Sequence, residues 1–479
     1  MRLISPCRES HNKYYYLIPI SPTNAYCLFP IACDKFGLVG HICKNGMSPA
    51  CEDENMKVLK KIIKIIVVLF LALLLGLTAL DIYMIKKPEQ DAKKKIDGME
   101  EFARQIEDLT INEKANVIGL GEAAHGNAEF QALKLDVLKV LVDKYDVSCF
   151  AMEMDYGEGV IINDYINGCS EMTIDEVMDH ISFRIYRTEE IRGLIEWMRE
   201  YNDLHDDKLS FYGFDLQNPD VDLALIRDFV KENSIDGDPA GAFEPFVNDE
   251  VSLRDESLNH AFEELESLRS ELYSNKQTYR NLYNYERILE CIENVFRARE
   301  LSVKYAGDNG MVEGSAYRDQ MMAKKVMEIS ETLVNSRMMI TGHNGHIGYA
   351  GNFVRTMGAF IRDELDDAYF AIGTDYFITK CNMPDSSGKR SVHRFVSGDI
   401  LAYQAKDLGT YYLDFSRVGK DSDVYRYINE PIYTGSLGES YSILNTIRQD
   451  TVRIYCEPVY LYDSMIFVYE CTPLNLLAK

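Results

Sequence analysis

Histidines and carboxylates gather at the ends of four short apolar runs. Gly121-Glu122-Ala123-Ala124-His125-Gly126 follows the first, and Ala151-Met152-Glu153-Met154-Asp155 closes the second. Gly213-Phe214-Asp215-Leu216-Gln217 closes the third, and Thr341-Gly342-His343-Asn344-Gly345-His346 closes the fourth. A neutral imidazole, with a pKa of about 6.5, can take a proton from water at working pH, and a neighbouring carboxylate stabilises the imidazolium that results. A lone Glu at a strand end is usually a cap or a surface group, and a lone His a satisfied core or surface residue. Only their joint placement singles these out. Glycines beside Glu122, His125, His343 and His346 let backbone and ligand approach closely. The same residue types suit a divalent ion, with His125, Glu153, Asp215 and His343 as N and O donors. No Gly-x-Ser-x-Gly elbow occurs, which argues against a serine nucleophile.

The elements that must position these groups read as alternating strands and helices. Asn116 to Gly121 is a short buried strand, Ala128 to Tyr145 has helical apolar spacing, and Val147 to Met154 is a second strand. A strand–helix–strand unit of this kind implies parallel strands with a right-handed crossover. Helices over Ile191–Asn202 and Lys324–Val334 and strands over Leu209–Phe214, Arg337–Thr341, Tyr369–Gly373, Thr410–Asp414 and Met465–Tyr469 continue the pattern. The fold class is α/β: a mostly parallel sheet flanked by helices, with an inserted helical subdomain and an N-terminal transmembrane helix. In such sheets the carboxyl ends of the strands form the ligand crevice, so the four motifs converge on one edge. Residues about 240–310, and Asp255 to Tyr305 in particular, read as the helical insertion, either a plain subdomain or a lid over that edge. Asp91 to Leu109 reads as a helical lead-in.

The chain has 479 residues, 46% of them hydrophobic, which is enough for a sizeable core. Its net charge of -25 repels phosphate backbones and argues against nucleic acid as a partner. The 11 cysteines form no CxxC pair in the body of the chain, so neither a disulfide framework nor a structural zinc is expected. Cys149 sits in an apolar run as a small core residue. Residues 1–55 are irregular. A Cys/His metal knot of Cys33, His41, Cys43 and Cys51 fits no finger spacing well, and the simpler reading starts the native product at Met56. From there a basic segment with Lys57, Lys60, Lys61 and Lys64 leads into an apolar stretch. Counted from Ile62 to Ile85, it suffices to span a bilayer of about 30 Å. No good small-residue cut site follows, which favours an uncleaved signal anchor over residues 56–87. Lys86, Lys87, Lys93, Lys94 and Lys95 after the stretch weaken the charge rule for orientation. A short basic N-terminus usually stays cytoplasmic, which would put the domain at 88–479 outside. The expectation is a single-pass membrane protein that meets the lipid bilayer through residues 62–85.

Gly121-Glu122-x-x-His125-Gly126-x-x-Glu129-Phe130 resembles the first motif of the erythromycin esterase family. Val147 to Glu153 looks like that family's following strand, and Tyr186-Arg187-Thr188-Glu189-Glu190 with Trp197 to Asn202 is similar to its helical segment. Gly213-Phe214-Asp215-x-Gln217, Arg318-Asp319 with Met321-Met322-Ala323, and His343-Asn344-Gly345-His346 complete an ordered set over roughly residues 110–475. Ala124 stands where the family often has Thr, and Tyr186 where it often has Trp. The resemblance implies hydrolysis of a small-molecule ester or lactone, and the residues suit a His-activated water without a cofactor or metal. His125 would be the base, with Glu122 and Glu153 orienting it. His343 or His346, with Arg318, would stabilise the oxyanion. Arg318, Asp215 and Glu129 would contact substrate. Two alternatives remain: a divalent-metal-dependent hydrolase built on the same residues, and a non-catalytic domain binding a cell-envelope ligand.

Overall fold

The computed structural model describes residues 49–351 and 354–477. Most of the irregular extension, with Cys33, His41 and Cys43, lies outside them, as does the start-site question. A helix, α1, runs from Pro49 to Ala92. Within it Met56–Ala79 is long and apolar enough to cross a membrane, and its apolar side chains are exposed. Residues from Leu80 onward form a separate compact unit.

The sheet of that unit is built from β1 (Val117–Glu122), β2 (Val147–Asp155), β3 (Ser210–Asp215), β4 (Arg337–His343), β5 (Tyr369–Pro384), β6 (Arg390–Val396), β7 (Tyr411–Asp414) and β10 (Ser464–Cys471). β8 (Ile432–Gly435) and β9 (Arg453–Cys456) pair separately as an antiparallel ribbon. The sheet order is β3-β2-β4-β1-β5-β10-β7, with β6 on β5. The pairs from β3 through β10 are parallel, while β7 and β6 run antiparallel to their neighbours. β1 and β4 lie side by side at the centre, where the chain leaves toward β2 in one direction and toward β5 in the other. This switch point opens a crevice at the strand C-termini.

Both faces of the sheet are covered, which is why β1 is buried at all six positions. On one face α2 (Ala128–Tyr145) packs Phe130, Leu133, Val137 and Leu141 against Ile118 and Leu120. On the other, Met322 and Val326 of a long helix at Gly310–Thr332 meet Val117, Met338 and Ile340. The inserted helices have their own core, in which Leu223, Phe229, Phe262, Leu265, Ile292 and Val295 meet. That core draws on Tyr156 and Val160 and on Asp220–Glu232 as well as on Asn259–Ser274 and Tyr285–Tyr305.

The helical lead-in is a correction. The helix stops at Ala92, and the chain continues through Gly98, at φ 72, into two 3-10 turns at Met99–Glu101 and Ile106–Asp108. Buried Ile96 and Met99 and the bridge from Arg104 to Tyr412 hold this stretch flat against the domain, which a continuous helix would not allow. Cys149, Cys169, Cys291, Cys381 and Cys471 are all thiols, and Cys149 is buried in the core.

Candidate active site

The register of the central strands puts two motifs opposite each other, with Glu122 of β1 beside His343 of β4. β2 shifts register between Met152 and Asp155, so Glu153 sits in the irregularity and turns toward β4. There its Oε2 accepts the His343 backbone N–H at 2.7 Å. A Cβ on Gly342 would come within 2.7 Å of that carboxylate oxygen, so glycine is required for the approach.

On the β1 side the Glu122 carboxylate is 1% exposed and divided between its two oxygens. Oε1 meets His125 Nδ1 at 2.5 Å, while Oε2 accepts from Lys134 Nζ at 2.7 Å and from Gln131 Nε2 at 3.1 Å. Burial alone would raise this carboxyl, but Lys134 and His125 outweigh it and hold it at about 2. Burial pulls the His125 imidazole down, and Glu122, Glu153 and Glu439 prevail over it, so its pKa lies above the usual histidine value. Carboxylate at Nδ1 fixes the neutral tautomer with the proton on Nδ1, leaving Nε2 as the basic nitrogen.

The His343 ring lies 4.8 Å from that of His125. Its Nδ1 accepts the Gly345 backbone N–H at 3.1 Å, so in the neutral ring Nε2 carries the proton. Burial, together with His125 and His346, pushes its pKa down to about 3, which makes it a neutral donor at any working pH. Nε2 is buried and has no hydrogen-bond partner among the described residues.

Arg318 reaches in from the Gly310–Thr332 helix and ties the far side together. Nε and Nη2 clasp Asp215 at 2.9 and 2.6 Å, Nη2 also meets Glu153 Oε1 at 2.7 Å, and Nη1 lies 3.1 Å from His346 Nε2. His346 Nδ1 meets Asp319 at 2.9 Å. Burial lowers the His346 pKa, but Asp319 and Glu153 raise it further than burial lowers it. Burial would raise the Glu153 carboxyl, and His346, Arg318 and His125 carry it well below the usual range instead.

The structure therefore brings together Glu122, His125, Glu153, His343, His346, Arg318 and Asp215. Arg318 and Asp215 pair with each other, and Arg318 also reaches Glu153 and His346. Glu129 is elsewhere, with its carboxylate accepting from Thr472 N and Oγ1 at 2.7 Å each. Among the described residues no group of three or more His, Cys, Asp or Glu side chains is placed to hold a metal. Lys134 and Gln131 were not singled out from the sequence. The signal was there: Lys134 falls on the apolar stripe of α2, four residues after Phe130 and three before Val137, where a solvated lysine has no place.

The site is closed. His125 is 8% exposed and Glu153 5%. Two large surface clefts, of about 480 and 570 Å³, are lined by other residues, around Lys87, Gly398 and Tyr433 in one and around Asn112, Asp414 and Tyr462 in the other.

The erythromycin esterase family model matches residues 142–471. The chain belongs to the erythromycin esterase family. The match begins inside α2, so Glu122 and His125 precede it, and they join the family's region through the β1–β4 pairing. Erythromycin esterase type II of Escherichia coli is 25% identical over 291 residues, which is 54% of this chain and 68% of that relative. Among solved structures, a succinoglycan biosynthesis protein superposes with a TM-score of 0.63 at 18% identity, covering 81% of this chain and 99% of that one. An erythromycin esterase mutant, EreC, in its open conformation gives a TM-score of 0.52 at 16% identity, covering 79% of this chain and 99% of its own. These likenesses share the erythromycin esterase fold's mostly parallel sheet.

Proposed function

We propose that the domain hydrolyses an ester or lactone of a small molecule, with water activated at His125. The observation that carries this is the His125 imidazole, fixed by Glu122 through Nδ1 and set beside the unpartnered Nε2–H of neutral His343. A water on His125 Nε2 would lose its proton to that nitrogen as its oxygen adds to the carbonyl carbon. The imidazolium so formed is stabilised by Glu122. The carbonyl oxygen becomes an oxyanion that His343 Nε2–H can hydrogen-bond. Collapse breaks the C–O bond, and His125 returns the proton to the leaving alkoxide, which gives acid and alcohol. Glu153 holds the His343 backbone and, with Arg318, keeps the two halves of the site in register.

Full-length protein in detergent, offered a panel of aryl esters and macrocyclic lactones, is expected to turn over at least one class. A lactone product should be heavier than its substrate by one water. No turnover of any ester or lactone would overturn the reading.

We propose further that α1 anchors the domain to a bilayer as a single pass, with residues 88–479 on the extracytoplasmic side. The exposed apolar run and the lysines at both of its ends support the single pass, and the short basic segment before it supports the side. Ala92 and Ile96 are buried in the domain, so its boundary lies before them. Protein lacking residues 1–87 is expected to be soluble without detergent and to melt cooperatively. Aggregation of that protein, with the full chain stable in detergent, would make the helix part of the fold.

A further inference from the structure

Lys134 is a lysine with no exposure to solvent, on a helix face that otherwise carries Phe130, Leu133, Val137, Leu138 and Leu141. Burying an ammonium is costly unless it is paired and hydrogen-bonded. Here Nζ donates to Glu122 Oε2 at 2.7 Å and to Gln131 Oε1 at 2.6 Å, and it stands 5.3 Å from the centre of the Tyr186 ring. Gln131 Nε2 closes the triangle on the same Glu122 oxygen. The arrangement occupies one oxygen of Glu122 completely and leaves the other for His125.

We propose that Lys134 is a positioning residue for the hydrolytic base, holding Glu122 ionised and aimed at His125 Nδ1 and thereby setting the pH at which His125 becomes free to accept a proton. This rests on the reading of His125 as the base. Glu122 alone would be a buried carboxylate one hydrogen bond from an imidazole, a pair that shares a proton readily. A cation fixed on the far oxygen makes the pair a weaker proton trap, because it opposes every proton added to either member. The titratable and charged groups that face this pair are Lys134 on α2, Glu153 on β2, Tyr186 on the turn at Arg184–Tyr186, His343 on β4, Cys381 on β5, and Glu439 in the segment after β8. Lys134 is the cation among them that contacts Glu122 directly.

The sign follows from charge. Removing Lys134 takes a positive charge away from the Glu122–His125 pair, so the pair binds its proton more tightly and releases it at higher pH. The acid limb of kcat/KM, which reports protonation of the free enzyme's base, should move upward by about one unit in Lys134→Met. kcat at neutral pH should fall accordingly, with KM moving less. In Gln131→Leu, which removes a hydrogen bond but no charge, the limb should stay in place.

The decisive measurement does not need activity. Full-length protein in detergent, labelled at histidine and titrated by NMR, reports the His125 ring directly, with His125→Asn used to assign the signal. The expected result is an upward shift in Lys134→Met. A fall in kcat with the His125 titration unmoved would reduce Lys134 to a packing role and overturn the proposal. An upward shift in a protein that hydrolyses no ester would keep the proposal for the pair and overturn the hydrolase reading instead. Should Lys134→Met not fold, Glu122→Gln is compared with Glu122→Gln combined with Lys134→Met. The second should titrate His125 at higher pH than the first, and equal values would overturn the proposal.

Discussion

Replacing His125 with alanine is expected to lower kcat on any ester substrate by about 10²–10⁴-fold, the range a positioned general base contributes. That corresponds to roughly 3–5 kcal/mol of barrier. Nδ1 is engaged by Glu122 and Nε2 is the nitrogen left for water, so no other side chain in the cluster can take over without rearrangement. His343 is neutral with its proton on Nε2, and His346 is held between Asp319 and Arg318. KM should change little, because the base acts mainly on the transition state. His205, stacked on Tyr201 with ring centroids 3.9 Å apart on the far end of its helix, is the control, and His205→Ala should leave kcat within about twofold. Steady-state kinetics on both variants decide the matter. A loss of less than tenfold in His125→Ala would place the base elsewhere.

The largest effect on stability should come from Arg318. Its guanidinium is buried against Glu153 and Asp215, which are 5% and 1% exposed. Arg318→Met fills similar space but takes the guanidinium away from two buried carboxylates, of which Glu153 keeps His346 at 3.4 Å. Breaking a buried pair by removing one partner costs about 3–5 kcal/mol, and two carboxylates lose their partner here. The expected outcome of urea unfolding is a loss in that range or failure to fold. The loss should shrink when Glu153→Gln and Asp215→Asn are added, since the uncompensated charge is then gone. An unchanged midpoint in Arg318→Met would show that the clasp contributes nothing.

Much of the fold was legible because strands buried on both faces read as plain apolar runs. Val117 to Glu122 and Arg337 to His343 are of that kind, and the helical spacing of Ala128 to Tyr145 matches its helix at both ends. The apolar run Tyr369–Gly373 predicts a strand of five residues, and β5 spans 16. Beyond Gly373 it carries Thr374, Asp375, Thr379 and Lys380, which break the apolar run; yet Thr379 Oγ1 pairs with Asn127 and the Thr374 N–H and C=O with Asn344, partners distant in sequence. β8 and β9 span four residues each and the first five positions of β6 are exposed or half-buried, so none of the three leaves a long pattern. In the site, residue types were visible and pairings were not. Nothing local says that Arg318 meets Asp215 across 103 positions, or that Glu129, for all its place in the first motif, turns to Thr472. Lys134 was overlooked for the opposite reason, since a lysine on a helix is ordinarily read as solvated.

The sheet order bears on how the protein is made. β1 leaves the ribosome early, but its two neighbours are β4 and β5, and the Glu122–His343 pairing spans 343 − 122 = 221 residues. At synthesis rates of about 5–20 residues per second, that strand waits on the order of ten seconds or more for a partner. During that interval a largely apolar strand with both edges open is a template for association with other chains. If the chain is threaded through a membrane as it is made, the wait takes place on the far side, where a holding chaperone or slow emergence would determine the yield. Expression of the domain should therefore respond more to temperature and translation speed than the stability of the finished protein suggests.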